Sequence, residues 1–238
     1  MKNVERAAKM PVMGHLVLGY PSLAESIRTA GLYADAGIAI LELQIPFSHP
    51  TADGPVITAA CQEAVENQHV SMTDCMVAIR SIRESYPEQE IMVMSYINRV
   101  FAYGMEKFRR EMNALGIRHL IIPDLPVDFP GFADFKNQGD QSPKLVPVLA
   151  ANVSDARIEK LLAMGFDFFY LMADFKITGS TFSLHPRLQE VIAKINPLDT
   201  KQETLSTRRI GIGFGISSPE QALLVTQTAD VAIIGSAL

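Results

Sequence analysis

A (β/α)8 barrel forming one domain over residues 1–238 is the fold class this sequence predicts, and three observations predict it. Short, largely apolar runs recur along the chain, longer segments with helical periodicity lie between them, and no linker or composition shift divides the 238 residues. Alternating strands and helices imply a parallel sheet. Eight strands favour closure over an open sheet, and single barrels commonly reach this length.

The eight runs are Met13 to Leu18, Ile38 to Leu43, Ile91 to Ser95, His119 to Ile122, Leu145 to Leu149, Phe168 to Met172, Ile210 to Phe214 and Val231 to Ile234. Each is short and hydrophobic, as parallel strands covered on both faces should be. Helical patterns separate them. Leu23 to Ala36 carries Ile27, Ala30, Leu32 and Ala34 and stops at Gly37; Met72 to Ser85 places Met76, Ile79 and Ile82 at helical spacing; Phe108 to Leu115 stops at Gly116. Ser154-Asp155 can cap Ala156 to Met164 before Gly165, and Ser217-Ser218-Pro219-Glu220 combines a hydroxyl cap with a first-turn proline and acid. After the eighth run the sequence stops at Leu238, where a complete barrel continues into a helix. The last outer helix is therefore expected to be missing, and the wall beside that strand to be open or covered from outside the chain.

Composition narrows the function. Net charge is -5 and the 21 basic residues are scattered; the nearest approach to a basic run, Lys107-Phe108-Arg109-Arg110, reads as a solvated helix face. Nucleic-acid binding is not expected. Cys61 and Cys75 match no zinc or redox spacing and read as reduced, packed thiols, which suits a cytoplasmic protein. The polar start, Met1-Lys2-Asn3-Val4-Glu5-Arg6, does not resemble a signal peptide, and no apolar stretch reaches 18 residues, so no membrane span is expected. The five histidines are too dispersed for a metal motif. His49 falls near the expected active face, His15 reads as a satisfied core residue, and His69, His119 and His185 read as surface or satisfied residues.

Parallel barrels carry their active sites at the C-terminal ends of the strands. Glu42 stands out there, sharing strand parity with Ile38 and Ile40. A carboxylate in that position loses hydration, which raises its pKa and suits acid–base work; a buried structural pair is the other reading. Asp53 lies in the loop after the second strand, where Asp53-Gly54-Pro55 is also ordinary turn chemistry. Tyr170, near the end of the sixth strand, could orient a substrate or pack in the core. Asp124, in Pro123-Asp124-Leu125-Pro126, could touch a ligand or partner or form a turn. Two glycine turns, Gly211 to Ser218 and Ile234-Gly235-Ser236, follow the last two strands, where barrels often bind phosphate; tight turning alone is the alternative.

Together these residues carry a resemblance. Leu41-Glu42-Leu43-Gln44-Ile45-Pro46-Phe47-Ser48-His49-Pro50-Thr51-Ala52-Asp53-Gly54-Pro55 closely resembles the signature segment of the tryptophan synthase α-subunit family. Leu18-Gly19-Tyr20-Pro21, Tyr96 with Asn98, Pro123 to Pro126, Gly213-Phe214-Gly215-Ile216-Ser217-Ser218-Pro219-Glu220-Gln221 and Gly235-Ser236-Ala237 match in order, from about Pro11 to the last residue. The resemblance implies a lyase that splits indole-3-glycerol phosphate into indole and glyceraldehyde 3-phosphate by a retro-aldol reaction. It gives Glu42 the general acid–base role and Asp53 the hydrogen bond to the indole N–H. Substrate-binding positions would be Tyr170, Tyr96, Thr178, Gly179, Gly213, Phe214, Gly215, Gly235 and Ser236, with backbone groups of Gly179, Gly215, Gly235 and Ser236 on the phosphate. His49 and Asp124 would face a partner. No cofactor is implied for this chain; pyridoxal phosphate belongs to the β subunit, with which the family forms an αββα complex.

The departures are specific. The family usually has glycine where Gln44 stands and aspartate where His49 stands. The loop after strand six carries Asp174-Phe175-Lys176 in place of an Arg-Ser-Gly or similar run, which would stiffen a mobile lid; Lys176 reads as a solvated lysine or as a phosphate contact. His49 and the altered lid motivate one alternative, a stand-alone lyase releasing free indole; a weakly catalytic binding or regulatory barrel is another.

Overall fold

The computed structural model describes residues 10–125, 142–172, 175–178, 181–184, 186–196, 208–213 and 215–238, with 175–178 and 181–184 described as backbone only. Strand β1 (Met10–Val17) is followed by helix α1 (Leu23–Asp35), β2 (Ile38–Gln44), α2 (Pro55–Gln62) with a π-helical extension (Glu63–Asn67), α3 (Met72–Ser85), β3 (Glu90–Met94), α4 (Ile97–Tyr103), α5 (Met105–Ala114) and β4 (His119–Ile121). Next come β5 (Lys144–Leu145), β6 (Val148–Ala150), α6 (Asp155–Ala163), β7 (Phe168–Met172), β8 (Phe175–Thr178), β9 (Thr181–Leu184), α7 (Pro186–Ile195), β10 (Arg209–Gly213), α8 (Pro219–Thr226) and β11 (Val231–Ile234).

Nine strands form one parallel sheet in the order β5-β4-β3-β2-β1-β11-β10-β7-β6. Its two ends, β5 and β6, are halves of the single fifth strand expected at Leu145 to Leu149. Pro147 divides them, because it has no N–H to give to a ladder. The joining residues still bond to both sides: Val146 N–H donates to the Leu120 carbonyl (2.8 Å) and Tyr170 N–H to the Pro147 carbonyl (2.9 Å). The sheet therefore closes on itself as a barrel, as the alternation of elements predicts.

Two apolar clusters result. Met13, Ile40, Met92, Ile121, Phe168 and Val231 belong to the one that fills the barrel interior. Leu41, Leu43, Ile79, Phe108, Ile158 and Leu188 belong to the larger layer between strands and helices. Serines start several helices. Ser22, Ser71, Ser154 and Ser218 each accept from a first-turn N–H, Ser71 within a capping box closed by Asp74.

The sequence reading missed α2, α4, α7 and the antiparallel β8–β9 hairpin. In α2, Gly54 is the N-cap and Pro55 the first helical residue, so the Asp53-Gly54-Pro55 turn is a helix start. Helix α5 begins at Met105, three residues earlier than expected, directly after Gly104. The N-terminal ends of the strands carry paired charges: Asp167 accepts from His119 Nε2 (3.0 Å) and Lys144 Nζ (2.6 Å), and Arg209 forms a two-nitrogen pair with Glu90. No described helix is long and apolar enough to cross a membrane.

Candidate active site

A cavity of about 320 Å³ opens at the C-terminal ends of the strands. Inward-pointing strand residues such as Met94, Ile121, Val148 and Ile233 make its apolar wall. Its polar side chains are few: Glu42 on β2, His15 on β1, Asp53 on the loop after β2, Tyr170 on β7 and Ser236 after β11. An apolar pocket with a small number of convergent polar groups is the usual form of a small-molecule site.

Glu42 is 3% exposed, and its Oε2 has no hydrogen-bond partner among the described residues. Burial pushes its carboxyl up to about 7; His15 pulls against that shift and Asp53 adds to it. A carboxyl tuned near neutrality can both give and take a proton under ordinary conditions.

Asp53 is placed by its neighbours. Its Oδ2 accepts from the Gln44 side-chain amide at 2.7 Å and from the Tyr96 hydroxyl at 2.8 Å. Tyr96 is fully buried at the N-cap of α4 and its hydroxyl also accepts from Ala52 N–H at 2.9 Å. Tyr96 thus holds Asp53 and its loop from behind and is not among the cavity-lining residues.

Tyr170 lies in the cavity wall. Burial raises its phenol well above 10, with Glu42 and Asp53 adding to the shift, so the hydroxyl stays protonated. A Cβ on Gly213 would fall 2.5 Å from that hydroxyl oxygen. Gly213 therefore makes room for Tyr170 and does not itself line the cavity. Gly215, Gly235 and Ser236 do line it, and Gly215 holds a φ of +77° that favours glycine.

The remaining expected residues divide. Asp124 accepts from Ile97 N–H at 2.9 Å, so it caps the start of α4. His49 is exposed on the loop after β2, with its Nδ1 2.8 Å from the Ser48 hydroxyl. Thr178 ends β8, opposite Thr181 in the hairpin, and Lys176 lies on the same strand; neither side chain is described. Asp174, Gly179 and Phe214 lie outside the described residues.

Two site residues were missed. His15, read as a core histidine, lines the cavity; Gln44, read only as a departure, joins His15 to Asp53. Strand parity could have found both. Gln44 is two residues beyond Glu42 and so shares its face, and His15 is the registered neighbour of Glu42 across the β1–β2 ladder.

A family model described as tryptophan synthase alpha chain matches residues 1–238. The chain belongs to the tryptophan synthase alpha chain family. That family has indole-3-glycerol-phosphate lyase activity in tryptophan biosynthesis. The tryptophan synthase alpha chain of Chloroflexus aurantiacus is 32% identical over 238 residues, covering 99% of this chain and 85% of that one. The one from Methanosarcina mazei is 34% identical over 228 residues, covering 95% and 79%. A crystal structure of tryptophan synthase from M. tuberculosis superposes with a TM-score of 0.79 at 26% identity, covering 96% of this chain and 83% of that chain. The tryptophan synthase subunit alpha of Campylobacter jejuni gives 0.78 at 27%, covering 98% and 88%.

Proposed function

We propose that this cavity splits indole-3-glycerol phosphate into indole and glyceraldehyde 3-phosphate, with Glu42 as the acid–base group. Protonated Glu42 gives its proton to ring carbon C3. The ring becomes an indolenine-like cation, which Asp53 stabilises while accepting the ring N–H. The hydroxyl on the adjoining side-chain carbon then loses its proton, its C–O bond becomes a carbonyl, and the C3–carbon bond breaks. Those electrons return to the ring and neutral indole leaves. The Glu42 carboxylate takes up the hydroxyl proton, so one side chain ends the cycle as it began.

The observation that carries this reading is the contrast between two carboxyls on one cavity. Glu42 is buried and raised to about 7, whereas Asp53 is held by two donors on a single oxygen. Different environments divide acid–base work from charge stabilisation. The backbone at Gly215, Gly235 and Ser236 offers the phosphate its place, far from the broken bond, where binding energy serves orientation. Gly179 and Phe214 join that loop set by resemblance alone.

The chemistry draws on no cofactor from this chain. Its setting is the cytoplasm and its partner a pyridoxal-phosphate-bearing β subunit in an αββα complex. The exposed His49, where relatives usually carry aspartate, favours a second reading as a stand-alone lyase. The test is to incubate the purified chain with indole-3-glycerol phosphate, alone and with a β subunit. Equimolar indole and glyceraldehyde 3-phosphate support the reaction, and their absence under both conditions rejects it. Co-elution and faster turnover with the β subunit support the complex; neither would leave the stand-alone reading.

A further inference from the structure

Gln44 is completely buried, and every polar atom of its side chain is engaged. Its amide nitrogen donates to Asp53 Oδ2 at 2.7 Å and to the Cys61 sulfur at 3.4 Å. Asp53 Oδ2 is already an acceptor for the Tyr96 hydroxyl, so the Gln44 nitrogen faces Asp53 and the amide oxygen faces the other way. There it lies 2.5 Å from His15 Nε2. An amide oxygen cannot donate, so His15 Nε2 carries the proton. The other ring nitrogen, Nδ1, then stands 3.5 Å from the Cβ position of Gly235, on the cavity wall.

His15 thus lies between the two ends of the site. Glu42 is its registered neighbour on β2, and the Gly235–Ser236 turn is on its other side. On the reading above, the substrate's side chain must cross this interval to join ring carbon C3 to the phosphate.

We propose that His15 and Gln44 are a positioning pair for the lyase reaction. Gln44 fixes Asp53 through Oδ2, leaving Oδ1 for the ring N–H. In its neutral form His15, its tautomer set by Gln44, presents Nδ1 as the acceptor for a side-chain hydroxyl of the substrate.

The inference rests on the proposed lyase function, and wild-type turnover separates the two. Failure of the wild-type chain to cleave indole-3-glycerol phosphate contradicts the function; a wild-type chain that cleaves no faster than Gln44→Met overturns only the pair. With Gln44→Met, similar in size but without the amide, kcat falls about 10-fold or more while KM moves less than about 3-fold. In an Asp53→Asn background the same substitution costs less than about 2-fold, because residues acting as one unit are not additive. Multiplicative losses would show that Gln44 acts elsewhere. His15→Phe raises KM about 10-fold but leaves the Kd of 3-(indol-3-yl)propyl phosphate, which lacks the hydroxyls, within about 3-fold. Equal weakening of both ligands would contradict the hydroxyl contact. A readout independent of folding in these variants is the ring-nitrogen NMR of His15 in the Glu42→Gln chain. A protonated Nε2, with an Nδ1 resonance that moves when indole-3-glycerol phosphate is added, supports the pair; a protonated Nδ1, or an unmoved resonance, overturns it.

Discussion

A methyl group on Gly213 would lie 2.5 Å from the hydroxyl oxygen of Tyr170 and 2.9 Å from its Cζ. Gly213 ends β10, Tyr170 lies in the middle of the neighbouring β7, and its ring occupies the space that the glycine leaves. Gly213→Ala is expected to force Tyr170 off its position beside Glu42. Overpacking of this kind typically costs about 1–3 kcal/mol. Tyr170→Phe removes the nearest atom of the clash, so Gly213→Ala/Tyr170→Phe should be destabilised by less than the sum of the two single changes. Urea unfolding of the four chains measures this; simple additivity would show that the two residues do not share the space.

Burial of Glu42 also makes a claim about stability. Its carboxyl titrates near 4.5 when unfolded and about 7 in the native chain, so between those values the native state holds the extra proton. Native stability from this group is full below about 4.5 and is lost as pH rises through 7. The span corresponds to a cost on the order of 3 kcal/mol by pH 8. Gln does not titrate. Unfolding measured from pH 5 to pH 8 should therefore show Glu42→Gln gaining on wild type as pH rises. A constant difference would mean that the native carboxyl is not raised.

The opposite end of the barrel should behave differently. Asp167, bonded to His119 and Lys144, has its carboxyl held well below the usual range, by the His119 hydrogen bond above all and despite partial burial. Its contribution is present above the unfolded pKa and fades as pH falls below it. Because the group is about a third exposed, solvent screening keeps the effect small, about 1 kcal/mol. Asp167→Asn should lower the unfolding midpoint at pH 7, lose that penalty under acid conditions, and leave lyase kcat unchanged. A large loss of kcat would contradict the assignment of this face to stability.

The apolar runs and capped helices were legible because each is decided locally, by strand-length hydrophobicity or by a serine before an amphipathic stretch. The split at Pro147 was less so, since its meaning depends on two different neighbours pairing with the two halves. Helix α2 was hidden by Gly54-Pro55, which serves a turn and a helix start equally well. Glu42 and Tyr170 could be placed by strand parity. Tyr96 and Gly213 could not be given their parts, because one reaches Asp53 from behind across 43 residues and the other matters only through the side chain opposite. Asp124, open between ligand or partner contact and a turn, accepts the first backbone N–H of α4, a bond the sequence does not signal.

Indole release from indole-3-glycerol phosphate by Glu42→Gln, beside wild type, tests the account most directly. The amide keeps the shape of the side chain but can neither give a proton to C3 nor take one from the hydroxyl. The predicted loss of kcat is at least about 100-fold, the scale of a removed acid–base group, with the fold intact by circular dichroism. Turnover within a few-fold of wild type would contradict the role given to Glu42.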